Sequence, residues 1–315
     1  MQFRTVLKPQ KSTIEIGYEL PILAFGSCFA ENIGKRLSAI QIPILINPFG
    51  ILYNPISIAK NINYLMTDSF YTENDIFQHD GLWHSKNHHG RFSNPQKAEI
   101  LRGINATILQ ARSFLIETKR LIITLGTAHV FIEKSTGEVV ANCHKLPPQY
   151  FDKKRLSVAE IVENFKPIIE KLNLQLVDLE VIITVSPIRH LRDGIVENQK
   201  SKATLLLATE QICEHFPNVH YFPAYEIMMD DLRDYRFYEA DMIHPNSQAV
   251  DYIEASFRET FFNEKSKKIA SEVEKMNAML QHRPLHNDTE GYQLFAHNLK
   301  IKVQEMENKY SFLRF

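Results

Sequence analysis

Five short apolar runs, each closed by small or turn-forming residues, constrain this chain more than any other feature: PILAFGS (21–27), IPILINP (42–48), RLIITLG (120–126), EVIITVSP (180–187) and NVHYFPA (218–224). Each is apolar without alternation, as expected of a strand covered on both faces. Between the runs the apolar residues change to helical spacing. Ile100, Ile104, Ile108, Ala111 and Leu115 form a stripe before the third run. A capping box, Ser157 with Glu160, opens a second stripe of Ile161, Phe165, Ile168 and Leu172. Val250, Ile253 and Phe257 form another after the fifth run. This alternation predicts a five-stranded parallel sheet with helices on both faces, a three-layer α/β/α sandwich. Ligands of such sheets bind outside the carboxyl ends of the strands, so a site belongs among the residues that close each run.

Two segments depart from the pattern. About 70 residues separate the second and third runs, more than a crossover helix needs, and include Trp83 and the stretch HDGLWHSKNHHGRF. We read this as an insertion near the mouth of the site. HVFIEKSTGEVVAN (129–142) carries two β-prone stretches around Ser-Thr-Gly and predicts a hairpin. Beyond residue 262 the chain turns to charged helix, with one stripe of Ile269, Val273, Met276 and Leu280 and another of Phe295, Leu299, Val303 and Met306. Joined by the loop from Pro284 to Gly291, the pair reads as an antiparallel helical hairpin, set to pack on the core or on another subunit. The expected division is a domain over 1–262 and a C-terminal extension over 263–315.

Composition narrows the partners. With 44% hydrophobic and 23% charged residues and a formal net charge of −1, the chain has neither the basic excess of a nucleic-acid binder nor an acidic tail. No stretch reaches the ~18 uninterrupted apolar residues of a membrane span. Three cysteines, Cys28, Cys143 and Cys213, are an odd number without metal-site spacing, which suits a reducing, cytoplasmic compartment better than a disulfide framework. His79, His84, His88 and His89 match no standard metal spacing, and we read them as a polar loop. No metal or cofactor is expected.

Ser27 closes the first run and precedes a helical pattern carrying Ile33 and Leu37, so it falls where unpaired helix N–H groups can stabilise an oxyanion. An N-cap hydroxyl is its structural alternative. Within EADMIHPNS (239–247), Asp241 and His244 stand three apart before the last stripe, also near the carboxyl edge. An imidazole can take the proton of a serine hydroxyl, and a carboxylate can fix its tautomer; the same pair could instead cap a helix. Cys28 is the rival nucleophile, since a helix N-terminus lowers a thiol pKa; a tight turn would point it away from whatever Ser27 faces, and we assign it to packing. Arg189 and His190 follow the fourth run, where a guanidinium can bind an anionic group or form a solvated salt bridge.

GSCFA (26–30) resembles the signature of the GSCFA family, which belongs with the SGNH, or GDSL-like, hydrolases. The likeness takes in NPFGILYNP (47–55), LGTAHVF (125–131), ANCHK (141–145), TVSPIRH (184–190), YFPAYEI (221–227) and DMIHPN (241–246), and spans roughly residues 20–260. It implies a flavodoxin-like fold with Ser27 as nucleophile and Asp241 and His244 as the remaining triad members. Ser27 and Gly50 would supply oxyanion-hole N–H groups. The superfamily's third block, Gly-x-Asn-Asp, reads here Gly126-Thr127-Ala128-His129, so its asparagine amide is missing; Asn54 or Asn142 is the expected substitute. Loss of one such donor costs on the order of a hundredfold in rate. Thr127, His129, Arg189 and His88 are the expected substrate contacts.

The function so implied is a serine esterase acting on a small-molecule or glycan ester, with acylated carbohydrate as the substrate class. The alternatives are a non-catalytic carbohydrate-binding module on the same scaffold, favoured by the missing asparagine, and an O-acyltransferase. Neither nucleic acid nor membrane is an expected partner, and the C-terminal helices are a candidate subunit interface.

Overall fold

The computed structural model describes residues 4–282 and 289–315. Strand β1 (Ile22–Gly26) runs into helix α1 (Cys28–Ala39); β2 (Ile44–Ile46) and α2 (Pro55–Leu65) follow. A hairpin of β3 (Phe77–His79) and β4 (Leu82–His84) precedes α3 (Lys97–Glu117) and β5 (Arg120–Leu125). Next come β6 (His129–Glu133), β7 (Val139–Val140), β8 (Phe151–Arg155), α4 (Val158–Gln175), β9 (Glu180–Val185), α5 (Ile195–His215) and β10 (Val219–Phe222). A one-turn α6 (Ala224–Glu226), α7 (Ser247–Phe261), α8 (Glu264–Leu280) and α9 (Glu290–Lys309) complete the chain.

The five apolar runs form one parallel sheet in the order β10-β9-β5-β1-β2. Successive strand residues face opposite sides, and each side has its own core. Leu23, Phe25, Leu121, Ile123, Val181 and Ile183 pack with α2, α3, α4 and α5. Ile22, Ala24, Ile122 and Ile182 pack with α1, α7 and α8. The stripes predicted for α3 and α7 are buried throughout; in α4 the buried residue of the third turn is Ile169 rather than Ile168. The Ser157–Glu160 capping box is formed.

Much of the expected insertion proves to be sandwich, because α2 and α3 both pack on the sheet. What projects is the β3–β4 hairpin, turned by Asp80 (φ 48°) and Gly81 (φ 73°), with the loop after it. The predicted hairpin of residues 129–142 exists as β6–β7, and β8 adds a third antiparallel strand beside β6.

Helix α8 buries Ile269, Ala270, Val273 and Met276 in the second core, while Leu280 stays exposed. From α9 only Met306 of the stripe is fully buried, with Leu299 and Val303 packed more loosely. Most of the loop expected between these helices lies outside the described residues. Among the described residues no helix is long and apolar enough to cross a membrane.

Candidate active site

The carboxyl ends of β1, β2, β5 and β9 are tied into one layer by hydrogen bonds that link residues far apart in sequence. At the end of β1, the Gly26 N–H donates to Asn47 Oδ1 (2.8 Å), from just after β2. The Gly26 carbonyl accepts from Leu52 N (3.0 Å), and the Tyr53 carbonyl accepts from both Gly126 N (2.8 Å) and Thr127 N (3.0 Å). Gly26 must be glycine: its φ is +141°, and a Cβ would lie 2.2 Å from the Thr124 carbonyl oxygen. Beneath the layer is Lys202, 1% exposed, whose ammonium donates to the Gly126 (2.7 Å) and Ser186 (2.6 Å) carbonyls at the ends of β5 and β9. Burial lowers its pKa to about 7.

Ser27 caps α1. Its Oγ accepts from Phe29 N (3.3 Å), and the side chain is wholly buried. Its own N–H donates to the Thr124 carbonyl (3.3 Å) and is therefore engaged rather than free for an oxyanion. Cys28 takes the opposite aspect. It is only half-buried, its Sγ lies 3.3 Å from the Tyr53 hydroxyl, and its N–H has no acceptor among the described residues. The capping bond holds the Ser27 hydroxyl along α1, and Cys28 packs against the second core, as expected of it, while its sulfur also meets Tyr53.

Asp241 and His244 form the expected pair. His244 Nδ1 and Asp241 Oδ2 are 2.7 Å apart, and Asp241 Oδ1 accepts the Ile243 (2.8 Å) and His244 (3.0 Å) N–H groups. These bonds, the His244 N–H first, lower the Asp241 pKa to about 2. Both side chains are nearly half exposed, at 46% and 44%. No hydrogen bond joins Ser27 to His244 among the described residues.

The loop after β9 adjoins this pair. Arg189 N donates to the Ile243 carbonyl (3.5 Å), and Arg189 Nη2 donates to the Tyr238 hydroxyl (2.8 Å), with its guanidinium over that ring. The guanidinium thus braces the loop rather than awaiting an anion. The His190 ring meets the Tyr53 ring edge-on at 5.5 Å, and its Nε2 is buried without a partner among the described residues. Burial, then the nearby Lys202 charge, lowers the His190 pKa to about 4, so the ring is neutral at pH 7.

The remaining expected contacts divide. The Gly50 N–H donates to the Asn47 carbonyl (2.8 Å), closing a turn and removing it from an oxyanion hole. Asn54 Oδ1 caps α2 through Ser57 N (2.8 Å), and Asn142 Oδ1 accepts from His144 N (2.9 Å); each leaves only its amide nitrogen to offer. The Thr127 hydroxyl lies 3.1 Å from Ser201 Oγ and accepts from His129 N (3.1 Å), while His129 stands 3.9 Å from Glu197. His88 is not a surface contact: it packs among Phe49, Tyr71 and Phe92, and burial lowers its pKa to about 3. His89 is the histidine of that stretch that reaches the sheet edge, against Gly50.

Three participants went unread in the sequence. Asn47 closes the second run and was findable by the strand-end rule. It is 1% exposed, with Oδ1 fixed on Gly26 and Nδ2 buried without an acceptor. Tyr53 and Lys202 gave no local signal. Among the described residues no group of three or more His, Cys, Asp or Glu side chains could hold a metal ion.

A model of the GSCFA family matches residues 21–257, and one of the GSCFA domain protein C-terminal domain matches residues 273–315. Among solved structures, the chain is similar to a carbohydrate esterase family 3 from Talaromyces cellulolyticus (8% identity, 81% of this chain and 99% of that one, TM-score 0.37). It is similar to an acetyl esterase mutant with acetate ion (9%, 81% and 99%, 0.39). A third is an acetyl xylan esterase, Est2A, from the rumen bacterium Butyrivibrio proteoclasticus (8%, 76% and 63%, 0.37). A search of curated proteins gives no match.

Proposed function

The chain belongs to the GSCFA family, and from that membership we propose that it is an SGNH-type hydrolase of carboxylic esters. Acylated carbohydrate is the substrate class. The observation that carries this reading is the Asp241–His244 pair: the carboxylate holds Nδ1 of the imidazole, leaving Nε2 to act as general base and then general acid. The nucleophile comes from the first residues of α1, where the helix N-terminus favours developing negative charge. Sequence resemblance assigns that role to Ser27.

Turnover of p-nitrophenyl acetate tests the proposal. We expect His244→Ala and Asp241→Asn each to lower kcat by about a hundredfold or more. Unchanged kcat in both variants would remove the pair from the chemistry. A ligand-binding module is the second reading, favoured because the Ser27 and Gly50 N–H groups are engaged elsewhere. It predicts saturable glycan binding that His244→Ala leaves intact, without ester turnover.

A further inference from the structure

We propose that the Cys28 thiol, rather than the Ser27 hydroxyl, is the nucleophile of this site. The inference rests on the ester-hydrolase reading and deepens it. Ser27 has no exposed surface, and its oxygen is held by the Phe29 N–H in capping α1. Cys28, one residue on, is half-buried, with its sulfur against the Tyr53 hydroxyl. Tyr53 keeps its proton, since burial raises its pKa, so its O–H can donate to a thiolate.

Two unpartnered groups point to a substrate there. Asn47 Nδ2 is a buried donor without an acceptor among the described residues, its carboxamide fixed at Gly26, two residues before the thiol. The Cys28 N–H is a second unclaimed donor. Together they supply what a carbonyl oxygen becoming negative requires.

A chain of contacts links the thiol's surroundings to the dyad loop: Cys28 to Tyr53, Tyr53 to the His190 ring, and the His190 loop to Ile243 through Arg189 N. Among the described residues no carboxylate is hydrogen-bonded to the His190 ring, and burial makes that ring a weak base, so the proton goes to His244. Cys28 and His244 are not hydrogen-bonded in this structure, and the pairing requires the half-exposed dyad loop to close onto the thiol before any substrate binds.

The Cys28 S–H proton passes to His244 as sulfur bonds to the ester carbonyl carbon. The C–O bond to the alcohol then breaks, and His244 returns that proton to the leaving oxygen. Water adds to the thioester carbonyl, giving one proton to His244; the C–S bond breaks and sulfur regains the proton, releasing the acid.

The first test needs no substrate. Iodoacetamide alkylation of Cys28 in the full chain, mapped by peptide mass, should slow at least tenfold at pH 7 in His244→Ala. Cys143 and Cys213, whose pKa values burial raises, serve as slow internal references. Equal Cys28 rates in the two proteins would overturn the thiol–imidazole pairing.

The second test is p-nitrophenyl acetate turnover. Cys28→Ala should abolish it, whereas Ser27→Ala should retain a hydroxylamine-sensitive acetyl group on residue 28; thermal melts confirm that both variants fold. Turnover lost in Ser27→Ala and kept in Cys28→Ala overturns the inference and leaves the hydrolase reading standing. His244-dependent alkylation without ester turnover sinks the hydrolase reading and leaves the activated thiol.

Discussion

The start of α1 and the loop from Glu239 to Asn246 supply the two halves of the candidate site, and they are held in opposite ways. Gly26, Ser27 and their neighbours are buried and fixed by residues 20 to 100 positions away, through Asn47, Leu52 and Thr124. The dyad loop is nearly half exposed and is held largely by itself: Asp241 bonds the Ile243 and His244 N–H groups, Glu239 N bonds the His244 carbonyl, and Asn246 N bonds that of Phe237. A buried, cross-linked turn sets position but cannot move. A self-contained exposed loop keeps the geometry of its pair wherever it goes.

Substitutions can break or sharpen this contrast. The largest stability effect is expected from Gly26→Ala, which sets a methyl group against the Thr124 carbonyl at a φ that L-residues avoid. Overpacking and backbone strain together should cost about 3 kcal/mol or more in urea unfolding. A loss under ~1 kcal/mol would mean that the turn yields, and the contrast would fail.

Lys202→Met comes next and is read against pH. The folded chain holds the lysine pKa near 7, while the unfolded chain returns it to 10.5. Between those values the unfolded state binds more protons, so wild-type stability should rise with pH relative to the variant, with a slope approaching ~1.4 kcal/mol per pH unit. Parallel stability curves across this window would show that the ammonium is not dry.

The smallest stability effect is expected from Asp241→Ala. Its side chain is exposed and its bonds are local, so the thermal midpoint should move by no more than ~2 °C. Hydrogen exchange at the Ile243 and His244 amides should nevertheless accelerate. A large drop in midpoint would show that the loop is part of the cooperative core after all.

The same difference in reach explains what could be read in advance. The five strands were legible because burial on both faces leaves unbroken apolar runs, and the structure trims each by at most two residues at either end. The Asp241–His244 pair was legible because its partners are three residues apart and need no distant support. By contrast β8, FDKKR, exposes four of its five residues and carries no apolar period. The β3–β4 hairpin did carry an Asp-Gly turn signal. Lys202 reads as one polar position of a helix; only the carbonyls above it reveal a buried ammonium.

By itself, then, the sequence determined the sheet and the helices that cover it, because periodicity and burial are properties of contiguous segments. Tertiary structure alone decided what Ser27 and Cys28 each touch, and which donors are left unclaimed among the described residues. A rotation of one residue at a helix start exchanges inside for outside, and the contacts that choose between them come from Asn47, Tyr53 and Thr124, distant in the chain.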